Sequence, residues 1–385
     1  MKNMFLKALA KKNKNKNTKV IETYSDDSDE YISTEDEDEI SEDYLYKWYN
    51  NRYIIIKYLG RGTFCRVWLV YDVINNDFYA MKMNFPEYYD DSMHEIKVFK
   101  HLDNLNNKDS KIIKCYDFFE HVNKEKYNCI ILELLGYNLL DLLRENNTLE
   151  LNIVKKISKQ IFLSLEELHN KDLIHTDIKP ENILFTQKRN NINSLIEFIK
   201  TLNIQNIYND FIIENIPENF ELYNKTRKKN IKKKIKLKSQ KNITKLLKNN
   251  LENFKSDEIF DFDYDNFELK IIDLGNTEFK NEPKIQDEIM IRNYRPPENI
   301  INDYFDEKAD IWCIGCIIFE MLTGEYLFEL DEETKNVNET YRDRLHLKQM
   351  FEIFGKMNKS TIFNCDFYDE LFDTKGNIKK MKLNK

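Results

Sequence analysis

The run Ile174-His175-Thr176-Asp177-Ile178-Lys179-Pro180-Glu181-Asn182 sets a carboxylate, an amine and an amide two and then three residues apart. That set suits phosphoryl transfer. A carboxylate can take the proton of an attacking hydroxyl, an ammonium can neutralise a transferring phosphate, and an amide oxygen can hold a divalent ion. Alone, the run also describes a solvated polar loop. More residues of the same chemistry stand elsewhere in the chain: Lys82 at the end of Phe78-Tyr79-Ala80-Met81-Lys82, Glu95 thirteen residues later, and Asp273 in Leu269-Lys270-Ile271-Ile272-Asp273-Leu274-Gly275.

The elements around them are those that could position them. Gly60-Arg61-Gly62-Thr63-Phe64-Cys65-Arg66-Val67 lies between the strand-like runs Tyr53 to Leu59 and Val67 to Tyr71, which predicts a hairpin with glycines at its tip. Gly60 and Gly62 allow backbone to approach a phosphate where a Cβ would intrude. Phe78 to Lys82 is β-rich, and Met93 to Leu102 has helical periodicity, so Lys82 and Glu95 fall on neighbouring elements. Such pairs are commonly surface charges worth less than about 1 kcal/mol, so their order in the series carries the inference. Asn128 to Gly136 reads as an interior strand, Pro296-Pro297-Glu298 closes a short segment, and Asp310 opens an apolar helix.

In this order the elements resemble a protein kinase, and the expected fold class is α+β, two-lobed, with a small β-rich N-lobe and a larger helical C-lobe. His175-Thr176-Asp177, Asp273-Leu274-Gly275-Asn276, Ile291-Arg292-Asn293-Tyr294-Arg295, Ala309-Asp310-Ile311-Trp312 and Thr323 to Glu329 are most similar to the SR-protein kinases, which phosphorylate serines in Arg-Ser repeats. The resemblance covers roughly residues 43 to 385 apart from one insert. It implies Asp177 as catalytic base and Lys179 as stabiliser of the transferring group, with ATP and Mg2+ as cofactors and Asn182 and Asp273 as metal ligands. Nucleotide contacts implied are Leu59, Gly60, Arg61, Gly62, Thr63, Phe64, Cys65, Arg66, Val67, Ala80, Lys82 with its partner Glu95, Leu132, and the backbone of Glu133 and Leu135. Cys65 replaces the third glycine of the usual loop.

Thr176 stands where many kinases carry an arginine that pairs with a phosphorylated activation segment. Thr277 is the one Ser or Thr between Asp273 and Glu298. Activity without activation-segment phosphorylation is therefore expected. Glu329, Asp331, Glu332, Glu333, Glu339 and Asp343 are candidate docking carboxylates for an arginine-rich protein substrate, since guanidinium pairs with carboxylate bidentately. Arg344 and Leu345 occupy positions where the family has acids, which weighs against strict Arg-Ser preference.

The chain has 385 residues, net charge -8 and six scattered cysteines. This suits one two-lobed domain with appended segments and buried thiols in a reducing compartment. Cys313 and Cys316 have zinc-like spacing but lie in an apolar helix with no second pair. No apolar run reaches membrane-spanning length, so an intracellular protein of cytoplasm or nucleus is expected, with no membrane partner. The abundance of Asn, Lys and Ile points to an AT-rich genome, a large DNA virus being one source.

Residues 1–42, basic and then acidic, read as a disordered tail; residues 43–135 are the expected N-lobe, 136–186 and 268–385 the C-lobe. Residues 187–267 read as a low-complexity basic insert, with short amphipathic helices at Ser194 to Lys200 and Ile243 to Leu251 and a basic run from Lys225 to Lys241. Filler is the first reading of that run, an import signal the second and nucleic-acid binding the last, because interleaved aromatics are missing. The family's further C-lobe helices are not evident before Lys385, and these normally supply an arginine for Glu298. Either another group replaces it, a partner covers the base of a shortened C-lobe, or the lobe is less stable. A pseudokinase scaffold is the alternative function. Retention of Lys82, Glu95, Asp177, Lys179, Asn182 and Asp273 speaks for an enzyme.

Overall fold

The computed structural model describes residues 43–103, 107, 109–122, 126–282, 289–302, 304–330 and 338–380. The expected tail at 1–42 lies outside them. Its N-terminal part is a six-stranded antiparallel sheet in the order β1-β2-β3-β4-β6-β5. The strands are β1 Trp48–Tyr49, β2 Tyr53–Gly62, β3 Cys65–Asp72, β4 Asp77–Asn84, β5 Cys115–Val122 and β6 Lys126–Leu132. Helix α1, Tyr89–Leu102, packs on one face through Ile96, Phe99 and Leu102. The alternation in β2 and β3 sends Ile54, Leu69 and Tyr71 to the α1 side and Tyr53, Ile55, Trp68 and Val70 to a second cluster. This period-2 pattern makes the sheet buried on both faces.

The larger part is helical. It begins with α2 Leu139–Asn146 and α3 Leu151–His169, followed by the short strands β7 Leu173–Ile174 and β8 Ile183–Phe185. Asn138 caps α2 in a reciprocal capping box with Asp141, which satisfies two otherwise orphaned backbone donors. In α3, Val154, Ile157, Ile161, Leu165 and Leu168 recur at three- and four-residue spacing and are buried. That stripe faces the core.

The insert differs from expectation. It forms three helices, α4 Asn190–Thr201, α5 Ile204–Glu214 and α6 Lys225–Leu251. The amphipathic pattern at Ser194 to Lys200 extends in both directions, and the basic run is continuous with Ile243 to Leu251 in one 27-residue helix. Ile192, Leu195, Ile196 and Ile199 of α4 join Ile243, Leu247 and Leu251 of α6 in the same core cluster as Ile54, Leu69, Tyr71 and Phe78 of the sheet. Polar links seal the contact: Trp48 Nε1 donates to Thr244 Oγ1 at 3.1 Å, Thr244 Oγ1 to the Tyr46 carbonyl at 3.1 Å, and Gln205 Nε2 to the Ile74 carbonyl at 2.7 Å. Low complexity is thus a property of the exposed face alone. The sparse apolar residues, set a turn apart, are enough to dock the helix.

Strands β9 Leu269–Ile271 and β10 Glu278–Phe279 pair with β8 and β7 respectively. Helices α7 Glu298–Ile301, α8 Lys308–Thr323, α9 Glu339–Phe354, α10 Lys359–Phe363 and α11 Tyr368–Leu371 complete the described chain. Glu298 is partly buried beside a groove of about 640 Å³ lined by Phe305, Trp312 and Phe354. Burial pushes its carboxyl up, and it makes no ion pair among the described residues. All six cysteines are free thiols. No described helix is long and apolar enough to cross a membrane.

Glu320 on α8 accepts a hydrogen bond from Tyr294 Oη at 2.6 Å, and burial pushes its carboxyl from the ordinary 4.5 up to about 7. A raised carboxyl favours folding while protonated. Its contribution is full below about pH 4.5 and is lost as pH rises through 7, to a limit of about 3 kcal/mol. Glu320→Gln keeps the acceptor and removes the titration, so it should flatten the decline of Tm between pH 5 and 8 in a thermal melt series.

Candidate active site between the two lobes

Lys82 is fixed by β4, whose register pairs it with Val67 of β3 and Ile130 of β6. Its Nζ lies 2.9 Å from Glu95 Oε1 on α1 and 2.8 Å from Asp273 Oδ1 just past β9. Burial by itself would lower Lys82, but the two carboxylates outweigh it and hold the amine well above its ordinary value. Asp273 is held low chiefly by the Lys82 charge, whereas burial raises Glu95 more than Lys82 lowers it. The Asp273 side chain remains 43% exposed, against 2% for Glu95. One carboxylate anchors the lysine and the other faces the cleft.

The catalytic-loop candidates converge. Lys179 Nζ is 3.1 Å from Asp177 Oδ2. Asn182 Nδ2 donates to both the Asp177 carbonyl at 2.8 Å and Asp177 Oδ2 at 2.9 Å. With both amide hydrogens spent, Asn182 Oδ1 remains as an oxygen donor. Ile272 N–H donates to the Asn182 carbonyl at 3.0 Å, which ties this loop to the segment carrying Asp273.

The loop's backbone hangs on Asp310, which is fully buried at the start of α8. Its carboxylate accepts from His175 N at 2.9 Å and Thr176 N at 3.0 Å, and His169 Nε2 lies 2.8 Å away. His175 Nε2 lies 2.9 Å from the Ile272 carbonyl, and Nδ1 accepts from Asp177 N at 3.2 Å. Only the Nε2-protonated tautomer satisfies both contacts. Thr176 and Asp273 have φ of 66° and 60°. A β-branched residue there is strained. Thr176 is held by the Asp310 contact and by its own Oγ1, which donates to the Asn276 carbonyl at 2.6 Å. His169 was not visible as a site residue, because nothing in its spacing marks it.

The glycine-tipped hairpin forms, with Gly60 opposite Val67 and Gly62 opposite Cys65 around Thr63 and Phe64. A Cβ at Gly60 would meet nothing within 4 Å, so this stretch is open. Leu59, Val67, Ala80 and Leu132 sit in or against one apolar cluster. Some expected contacts point elsewhere: Phe64 packs on Tyr88 with ring centroids 4.5 Å apart, and the Arg61 and Arg66 guanidiniums lie over Phe85. Cys65 is buried, which pushes its thiol up to about 11. At the end of β6, Glu133 N–H donates to the Lys114 carbonyl, and its carboxylate takes Lys270 Nζ at 2.7 Å. Among the described residues the Glu133 carbonyl and the Leu135 backbone make no hydrogen bond. They are available to a planar ligand with donor and acceptor edges.

The docking carboxylates are only partly open. Arg292 pairs with both Glu339 and Asp343, and Glu339 also meets Arg342 at 3.1 Å. Two of the six candidates thus serve the chain's own arginines. Asp331, Glu332 and Glu333 lie outside the described residues.

Comparison with known proteins agrees with this geometry. A family model described as a protein kinase domain matches residues 53–203 and 252–373, stepping over α5 and α6. The serine/threonine-protein kinase SRPK of Physarum polycephalum is 29% identical over 367 residues, covering 90% of this chain and 79% of that protein. Protein kinase dsk1 of Schizosaccharomyces pombe is 26% identical over 426 residues, covering 92% and 77%. The dual specificity protein kinase lkh1 of the same yeast is 27% identical over 319 residues, and there the match spans 81% of this chain but 35% of the relative. The chain belongs to the protein kinase family, is of the serine/threonine type, and within that family resembles the SR-protein kinases.

Proposed function

We propose that this kinase is competent without phosphorylation of its activation segment and that it acts on serines and threonines in arginine-rich proteins. The observation that carries the first part is the 2.6 Å hydrogen bond from Thr176 Oγ1 to the Asn276 carbonyl. It joins catalytic loop and activation segment directly, where a phosphate-binding arginine would need a modified residue. Supporting contacts run from α1: His94 Nε2 is 2.7 Å from the Thr277 carbonyl, and Lys97 pairs with Glu282 at 2.7 Å. Thr277 itself is fully buried, out of reach of a modifying enzyme.

Protein kinases in general use ATP and magnesium. Asp273 and the oxygen of Asn182 fit a hard divalent ion, which binds through one or two protein oxygens and leaves its other positions to phosphate and water; the ion neutralises phosphate charge. Lys82, oriented by Glu95, would hold the phosphate tail. Asp177 receives the proton of the attacking hydroxyl, and Lys179 stabilises the transferring group. The Arg-Ser part rests on the resemblance to SR-protein kinases and on the carboxylates that precede α9. The carboxylates already paired with Arg292 set its limit. Glu298 makes no ion pair among the described residues, and a partner seated in the groove beside it would supply a cation.

The test is transfer from labelled ATP by phosphatase-treated protein to an Arg-Ser repeat peptide and to a generic basic protein. Transfer concentrated on the repeat, undiminished by the phosphatase, is expected. Loss of activity on dephosphorylation would overturn the first part, and transfer to the generic protein alone would overturn the second. A folded, nucleotide-binding protein without transfer would return the molecule to the scaffold class.

A further inference from the structure

Helix α6 carries twelve cations and no carboxylate over its 27 residues. Arg227, Lys234, Lys238, Lys241, Lys245 and Lys248 are all exposed, and their three-, four- and seven-residue spacing puts them on one stripe. The stripe lies opposite Ile243, Leu247 and Leu251, which are buried against the sheet. Among the described residues one ion pair reaches the helix, Lys228 with Glu221 at its start. Like charges at helical spacing repel, by roughly 0.2–0.5 kcal/mol per pair. The helix therefore holds in place a row of uncompensated charge about 32 Å long, at about 1.5 Å per residue.

From this juxtaposition we infer that the chain's own acidic segment, residues 22–43, docks along the basic stripe of α6. That segment carries twelve carboxylates and no cation, matching the helix in number and opposing it in sign. It joins the fold at the helix: Thr244 of α6 donates to the Tyr46 carbonyl and accepts from Trp48, three and five residues beyond the segment's end. Twenty-two residues can span at most about 70 Å, so the whole stripe is within reach of that anchor. A tether this short gives an effective concentration near millimolar, which a free polyanion must exceed. Aromatics do not interleave with the cations, and the net charge of -8 does not steer nucleic acid toward the molecule.

The probe is a fluorescein-labelled single-stranded oligothymidylate, its anisotropy read against the full chain at low salt. Neutralising Glu35, Asp36, Glu37, Asp38 and Glu39 to their amides should tighten probe binding about tenfold, because an internal competitor has been weakened. Adding Lys234→Gln, Lys238→Gln, Lys241→Gln and Lys245→Gln to that variant should abolish the gain. Unchanged probe affinity in the neutralised variant would overturn the inference. Zero-length carbodiimide coupling provides the second readout, with links expected between residues 35–39 and α6 within one molecule and lost at high salt. Links only between molecules, or to lysines outside α6, would overturn it as well.

Discussion

Asp177→Ala is expected to lower kcat about 10²–10⁴-fold, the range a positioned general base supplies, while nucleotide affinity changes little. The two effects separate because Asp177 stands with Lys179 and Asn182, away from the hinge atoms of Glu133 and Leu135. Asn182 would lose one of its two acceptors and keep the residue-177 carbonyl at 2.8 Å, so the loop should hold its shape. The pair of measurements is single-turnover transfer and nucleotide titration on the same preparation. Undiminished transfer by the variant would remove Asp177 from its assigned role.

Ile243→Asp should unfold or loosen the sheet lobe although it changes a residue of the insert. Ile243 is fully buried, in the apolar cluster it shares with residues of α4 and the sheet. Truncation alone at such a site costs about 2–5 kcal/mol, and an unpaired carboxylate in apolar surroundings costs more or is forced to remain protonated. A loss of at least about 4 kcal/mol is expected in urea unfolding, larger at pH 8 than at pH 5. Ile243→Val, which keeps shape and polarity, should cost about 0.5–1.5 kcal/mol. If Ile243→Asp left stability unchanged, α6 would be an appendage and not part of the lobe. The expected loss would also appear in kcat, since β4 and α1 hold Lys82 and Glu95.

Much of the site was legible because its chemistry is local in sequence. Asp177, Lys179 and Asn182 lie within six residues, and their side chains converge once the loop is fixed. Lys82, Glu95 and Asp273 are far apart in the chain, yet their order resembles a known layout, and that layout brings them within 2.9 Å. The glycine hairpin was legible as a hairpin. The directions of Phe64, Arg61 and Arg66 were not, because Phe85 and Tyr88 capture them through contacts no local pattern encodes.

The insert shows the opposite limit. Its polar and lysine-rich composition hides four buried apolar residues in each of α4 and α6, and averaging removes them from view. Whether such a thin stripe docks depends on a complementary surface being present, here the apolar cluster on the α1 side of the sheet. Two of the docking carboxylates, Glu339 and Asp343, are engaged for a related reason. An acid's availability depends on which cation folds back on it, and Arg292 reaches Glu339 and Asp343 from about fifty residues away.

Family, fold class and the candidate phosphoryl-transfer residues were legible in the chain, because residue types at short spacing dictate which groups can act together. The packed arrangement, and not the sequence, sets the bridge from Thr176 to Asn276, the place of His169 beside the Asp310 that was expected to brace the catalytic loop, the pairing of Glu133 with Lys270, and the membership of α4 and α6 in the core. These contacts join residues 100 to 198 positions apart, with the Asp310 set at 134 to 141 and the Glu133 pair at 137. Over such separations no local periodicity survives, and only the packed arrangement of strands and helices sets which side chains meet.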